Sequence, residues 1–226
     1  MASKPVPARS MPRLYLATPV VDDPQALLPA FPQLLAQTDV AAVLVRLKTT
    51  DQRTMISTIK ALAPAIQDKG AALLLEGHVE LVARAGADGA HVAGIEALQD
   101  ALPTLKPDRI AGAGALKTRH DSMTAGEMGA DYVLFGEPGA NGQRPSVEAI
   151  AERLRWWDEL FEPPSVGFAG ALDEVEPLAR AGADFVLVGD FIWADPRGAA
   201  AALTEAAQAL RRAAASGKAR AGQDSG

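Results

Sequence analysis

The feature that most constrains this chain is an alternation of short apolar runs with longer helical patterns, sustained almost end to end. The runs lie at residues 14–18, 41–46, 71–75, 88–92, 109–113, 131–135, 165–169 and 185–188. Each has the length of a strand. Most are continuous in Val, Leu, Ile and Ala, the pattern of a parallel strand buried on both faces. Helical candidates fall between and after them, at 24–36, 52–67, 79–85, 96–102, 122–128, 147–160, 173–181 and 197–214. Strand and helix in turn imply a parallel sheet with right-handed crossovers. With eight such pairs, closing the sheet removes both edges. The expected fold is therefore α/β, a single (β/α)8 TIM barrel. An open doubly wound sheet is the alternative. It would need a glycine-rich nucleotide loop after the first strand, where this chain has Pro19-Val20-Val21-Asp22-Asp23.

One phrase recurs. Ala85-Gly86-Ala87-Asp88, Met128-Gly129-Ala130-Asp131 and Ala181-Gly182-Ala183-Asp184 each close a helix and open a strand. The glycine suits a left-handed helix stop. The phrases precede strands four, six and eight, at the barrel bottom, where repetition reads as stability. The barrel is assigned to 14–214, with a disordered lead at 1–13 and a disordered, small and polar tail at 215–226.

Hydrophobic residues make up 48 % but aromatics only 5 %, so the buried surface must be mainly Ala, Val and Leu. The chain has no cysteine, which excludes disulfides, a thiolate nucleophile and cysteine-ligated zinc. The start carries no apolar core of a signal peptide, and no run is long enough to span a bilayer. A net charge of −6 without a basic stripe argues against nucleic acid. The expectation is a cytoplasmic protein acting on small molecules.

In such a barrel, chemistry sits just after each strand, at the C-terminal mouth. After strand two, Arg46 and Lys48 stand two apart on extended chain and so face the same way. That suits a diphosphate or another polyanion, against a plain solvated strand end. Strand three is followed by Glu76-Gly77-His78, which reads as metal or proton chemistry or as an ordinary helix start. His91 falls inside strand four and reads better as a satisfied wall residue. Glu96 follows it. Strand five leads into Gly112-Ala113-Gly114-Ala115-Leu116-Lys117, where glycine admits a ligand close to the backbone. The long loop after strand six, 136–145, has the makeup of a lid and carries Arg144. Gly170 and Gly189, after strands seven and eight, lie where such barrels hold phosphate on backbone N–H groups. Asp190, Asp173 and Glu174 oppose an anion there. Trp156 and Trp157 on the sixth helix suggest packing on the barrel; an exposed one would mark a subunit contact, so a homo-oligomer is kept as an alternative.

Over residues 14–212 these features resemble the thiamine-phosphate synthase family and its close relative, the thiazole tautomerase. The segments that carry the likeness are 14–18, Val45-Arg46-Leu47-Lys48, 79–81 with Ala87-Asp88-Gly89-Ala90-His91-Val92, 129–136 and Ala181-Gly182-Ala183-Asp184. The resemblance implies transfer of a hydroxymethylpyrimidine group from its pyrophosphate to thiazole phosphate, in thiamine biosynthesis, with Mg²⁺. Loss of pyrophosphate leaves a pyrimidine cation that the thiazole nitrogen attacks. Carried over by motif, Arg46 and Lys48 match, while Leu44 replaces a Gln. Gly77 stands at a metal-binding Asp, with Glu76 beside it, and Glu96 stands at a second. Metal ligation is therefore assigned to Glu76 and Glu96. Ala115 replaces a Ser. Lys117 stands at the tautomerase His and joins Arg46 and Lys48 as a candidate catalytic group. Arg144 falls near the lid lysine. Arg46, Lys48, Arg144, Gly170 and Gly189 are assigned to phosphate, and Asp190 replaces a Ser beside it. These changes leave a second reading open: a diverged, inactive or repurposed member that binds another small phosphorylated ligand or a protein.

Overall fold

The computed structural model describes residues 11–139 and 141–223, the side chains of 217–223 excepted. Eight parallel strands close into one barrel in chain order. They are β1 (Arg13–Val21), β2 (Val40–Leu47), β3 (Ala72–Glu76), β4 (Gly89–Ala93), β5 (Ile110–Gly114), β6 (Tyr132–Phe135), β7 (Ser165–Phe168) and β8 (Phe185–Val188), and β1 pairs with β8 to complete the ring. Around them lie α1 (Phe31–Gln37), α2 (Gln52–Gln67), α3 (Val79–Ala85), α4 (Ile95–Leu105), α5 (Arg119–Glu127), α6 (Val147–Leu160), α7 (Leu172–Arg180), the short α8 (Asp190–Trp193) and α9 (Ala199–Gln223).

The strand runs are continuously apolar because both faces are dry. Tyr15, Ala17, Leu44, Leu74, Tyr132, Leu134, Val166 and Leu187 form one buried cluster inside the barrel. Their alternates, such as Leu14, Leu16, Val43, Val45, Leu73 and Leu75, belong to a second cluster shared with the helices. Period-two geometry thus sorts one apolar run into two cores.

The recurring phrase closes the barrel bottom through its aspartates. The Asp88 carboxylate accepts from Leu73 N (2.7 Å), Asp131 from Ala111 N (2.7 Å) and Asp184 from Ser165 N (2.8 Å). Each clamps the start of the strand paired with the one it precedes. Gly86, Gly129 and Gly182 sit at φ of 77°, 96° and 108°, a conformation that side chains resist.

Most boundaries shift by one to three residues, and three departures have a cause in the sequence. β1 runs on to Val21 past an irregularity between Ala17 and Val20, so that Val20 and Val21 pair with Arg46 and Leu47. Pro19, which has no N–H, lies inside that irregularity. The helix expected over 24–36 splits into a 3-10 turn (Pro24–Ala26), capped by Asp23, and α1, which carries Pro32 in its first turn. The tail expected to lack structure is a correction: α9 continues to Gln223, because its Ala-rich sequence keeps helix propensity past residue 214. Of the expected disordered lead, residues 1–10 lie outside the described residues. Trp157 is buried and donates to Pro163 O (2.7 Å). Trp156 is partly buried against Phe161, with the Arg119 guanidinium over its ring. No described helix is long and apolar enough to cross a membrane.

Candidate active site

The mouth gathers the residues that follow each strand. Leu44 faces the barrel interior, and Arg46, two residues on, continues that face. The Arg46 backbone N–H donates to Thr18 Oγ1 (3.1 Å), and its guanidinium bonds Thr18 O and the Asp190 carboxylate. Arg46 therefore reaches from β2 across β1 to the end of β8. Only about a fifth of its side chain is exposed. Lys48 lies further out and is mostly exposed, with its ammonium 2.7 Å from Asp22 Oδ2. The two cations expected to share one polyanion each hold a separate carboxylate instead, Arg46 that of Asp190 and Lys48 that of Asp22.

The same holds on the β7 side. Arg144 leaves the loop after β6, lies over the Phe168 ring and pairs with Glu174. The other Glu174 oxygen accepts the Gly170 N–H at 2.7 Å. Gly170 is glycine because a Cβ there would meet the Arg144 guanidinium carbon at 2.8 Å. A guanidinium and a backbone N–H converging on one oxyanion is what a phosphate seat requires. Here a carboxylate from the first turn of α7 fills it. Gly189 is buried against Ala17 at the end of β8, and Asp190 begins α8.

A four-residue polar chain inside the barrel left no mark in the sequence pattern. Tyr15 OH lies 2.9 Å from Tyr132 OH, which lies 3.0 Å from His91 Nδ1. His91 Nε2 lies 2.9 Å from Glu137 Oε1, and Glu137 Oε2 accepts the Ala115 N–H at 2.7 Å. The chain climbs from the lower barrel to the mouth. Burial pushes both tyrosine hydroxyls well above their ordinary range. For Glu137, burial pushes the carboxyl up. Interaction with His91, its hydrogen bond and the Ala115 N–H outweigh that and bring it below the usual carboxylate value. Two glycines make the space. A Cβ on Gly112 would overlap the Tyr132 ring, and one on Gly114 would overlap Glu137 Oε2 and lie 2.6 Å from His91 Nε2. His91 is the satisfied wall histidine that its strand position suggested. Glu137 gave no signal of its own in sequence, since it reads as one polar residue of a Gly- and Pro-rich loop.

Lys117 is exposed, and its carbonyl rather than its ammonium is engaged, by Arg153. Glu76 ends β3 beside His91 in register, and Glu96 lies exposed in the first turn of α4. Neither carboxylate accepts a hydrogen bond or meets a cation among the described residues. No described group of three or more His, Asp and Glu side chains forms a metal cage. Magnesium does not need one: it is commonly held by one or two carboxylates plus phosphate oxygens and water. A groove of about 490 Å³ lined by Gln33, Gln37, Arg197, Thr204 and Glu205 lies between α1 and α9, and holds none of the mouth residues.

Comparison with known proteins bears on the family and the fold. The sequence model of the family described as thiamine monophosphate synthase matches residues 14–192. A thiamine-phosphate synthase of Rhodospirillum centenum is 38 % identical over 207 residues, covering 88 % of this chain and 98 % of the relative. One of Hyphomonas neptunium is 34 % identical over 200 residues, covering 84 % and 90 %. Among solved structures, a thiamine phosphate pyrophosphorylase from Pyrococcus furiosus superposes with a TM-score of 0.71 at 18 % identity, over 89 % of this chain and 96 % of that one. A 3-hexulose-6-phosphate synthase from Salmonella typhimurium superposes with 0.70, also at 18 % identity, over 89 % and 99 %. At that identity the superpositions speak for the barrel and not for a substrate.

Proposed function

Since the chain belongs to the thiamine monophosphate synthase family, we propose that it transfers the hydroxymethylpyrimidine group from its pyrophosphate to thiazole phosphate, releasing pyrophosphate in thiamine biosynthesis. The observation that carries this reading is the placement of Arg46, inward at the mouth and bridging β1, β2 and β8. The departing diphosphate gains charge as its bond to the pyrimidine breaks. Cations set in advance around a partly shielded bowl stabilise that charge more in the transition state than in the bound substrate.

In this reading Arg46, Lys48 and Arg144 take the diphosphate and phosphate oxygens, and Lys117 adds charge at the rim. Each paired cation exchanges an internal carboxylate for the substrate anion: Asp190 at Arg46, Asp22 at Lys48 and Glu174 at Arg144. Glu76 and Glu96 have the oxygen donors that suit Mg²⁺ and are not otherwise engaged among the described residues. When bound with the diphosphate, the metal would offset the charge of the leaving group. The Gly170 and Gly189 backbones would hold the thiazole phosphate. A cytoplasmic setting goes with this biosynthetic role.

The internal pairing also supports the second reading, a repurposed member for another small phosphorylated ligand. One assay separates them. With the pyrimidine pyrophosphate, thiazole phosphate and Mg²⁺, the wild type turns over, and Arg46→Ala and Glu96→Ala each lower the rate by about 100-fold or more. No turnover in the wild type, together with no thermal shift from pyrophosphate plus Mg²⁺, overturns the transfer reading.

A further inference from the structure

The irregular stretch of β1 lies directly beside Arg46. From Ala17 to Val20 the strand advances three residues while β2 advances two, from Leu44 to Arg46, so Thr18 and Pro19 together stand opposite Val45. This is a β-bulge, a device that interrupts a ladder and re-aims side chains at barrel rims. Pro19 brings no N–H to the ladder. The carbonyls at the bulge are taken up by side chains from elsewhere in the ring. Ala17 O accepts the Trp193 indole N–H at 2.8 Å, from the far end of α8. Thr18 O accepts Nε–H of Arg46. The Arg46 main-chain N–H donates to Thr18 Oγ1 at 3.1 Å, a hydroxyl in the place where a regular parallel ladder offers a carbonyl.

Thr18 therefore grips Arg46 twice, once at the main chain and once at the guanidinium. A guanidinium has five N–H donors. In Arg46 one goes to Thr18 O and one to the Asp190 carboxylate, and the rest have no partner among the described residues. The two partners differ in kind. Thr18 is fully buried in the wall, whereas the Asp190 side chain is about four-fifths exposed at the start of α8. An incoming oxyanion can displace Asp190 but has no path to displace Thr18. The guanidinium thus keeps its orientation while its outer partner is exchanged. Orientation set in advance matters for a long side chain, because one that is ordered only on binding gives up its rotamer freedom at that moment.

We propose that Thr18 is the positioning residue for Arg46: its hydroxyl holds the bulge in the shape that turns Thr18 O onto the guanidinium, and so sets Arg46 toward the mouth. Thr18 does not meet the bound anion; it acts through Arg46. Naming that anion as a diphosphate rests on the transfer reading; the grip of Thr18 on Arg46 does not. Trp193, set edge-on to Phe31 with ring centres 6.3 Å apart, occupies the neighbouring carbonyl and ties α8 to the same bulge.

The test measures binding of inorganic pyrophosphate to the full chain by calorimetric titration, and exchange of the Arg46 Nε proton by nitrogen-15 NMR. Thr18→Val keeps the shape and removes the hydroxyl, and weakens pyrophosphate by about tenfold. Thr18→Ser, which keeps the hydroxyl, restores most of the affinity. In an Arg46→Ala background Thr18→Val brings no further loss of affinity, yet it still lowers Tm, because the main-chain N–H at position 46 still loses its acceptor. The Arg46 Nε proton is protected from exchange in the ligand-free wild type and unprotected in Thr18→Val. Unchanged affinity in a folded Thr18→Val protein overturns the proposal. So does an equal loss in both backgrounds, which is what a merely structural role gives. An unprotected Nε proton in the wild type overturns it as well, and that result needs neither ligand nor variant. If the wild type binds no pyrophosphate, or Arg46→Ala binds it equally well, while Thr18→Val still removes the protection, the positioning stands and the diphosphate reading of Arg46 alone is overturned.

Discussion

The seat formed by Arg144 and the Gly170 N–H gives the sharpest prediction. Glu174 fills it now, with one oxygen on the guanidinium and the other 2.7 Å from Gly170 N. Both side chains are about four-fifths shielded from solvent. A charge-assisted hydrogen bond in such a setting contributes about 1.5–3 kcal/mol. A phosphate that takes the seat must displace Glu174 and give up about that much. Glu174→Gln keeps the shape and an oxygen for Gly170 but removes the negative charge, so most of the penalty goes. At 1.4 kcal/mol per factor of ten, inorganic phosphate should bind about 10- to 100-fold more tightly. Stability should move the other way. Loss of the same interaction, about 1.5–3 kcal/mol, lowers Tm by about 3–12 °C in a chain of this size. Calorimetric titration with phosphate reads the first effect, and thermal unfolding without phosphate reads the second. Equal or weaker phosphate binding in a folded Glu174→Gln protein would refute the idea that this carboxylate stands in for the anion.

Two further outcomes follow from groups away from the cations. Asp131→Ala removes the acceptor that clamps β5 at Ala111 N, so it should lower stability by about 1–2 kcal/mol and leave phosphate affinity unchanged; denaturant unfolding beside phosphate titration checks both. The Glu137 carboxyl is depressed in the folded chain, so its contribution is complete above the ordinary carboxylate range and is lost as pH falls through the lowered value. The stability gap between wild type and Glu137→Gln should therefore narrow as pH is taken from about 7 to about 3, and a gap that stays constant would contradict the assignment.

Much of the fold was legible because barrel strands leave a local mark. Residues 147–160 and 185–188 match their elements to the residue, and eight apolar runs became eight strands. The errors lie where one residue overrides a pattern. Pro19 sits in the irregularity of β1 and Pro32 in the first turn of α1, while propensity carries α9 past its expected end. For the site, Arg46 and Lys48 were singled out by their spacing, which period two sends to one face, and by the family motif they match. Their carboxylate partners were not found. Asp190 is 144 positions from Arg46 and Asp22 is 26 from Lys48, distances at which no local pattern operates. Glu174 stands in the sequence as a charge opposing an anion, and the structure adds that it closes on Arg144 from 30 positions away.

What the linear order of residues determined is the kind of object: strand and helix by periodicity, closure by their number, and the place of chemistry by the rule that barrel mouths follow strand ends. Those are local or counting properties. What only the folded barrel decided is which charges meet. Tyr15 and Tyr132 touch across 117 positions, and Glu137 settles over Gly114, because closing the ring brings side chains from β1, β4, β5 and β6 into one dry interior. There each hydroxyl, imidazole and carboxylate must find a partner, and which partner it finds depends on strand register, a property of the whole ring.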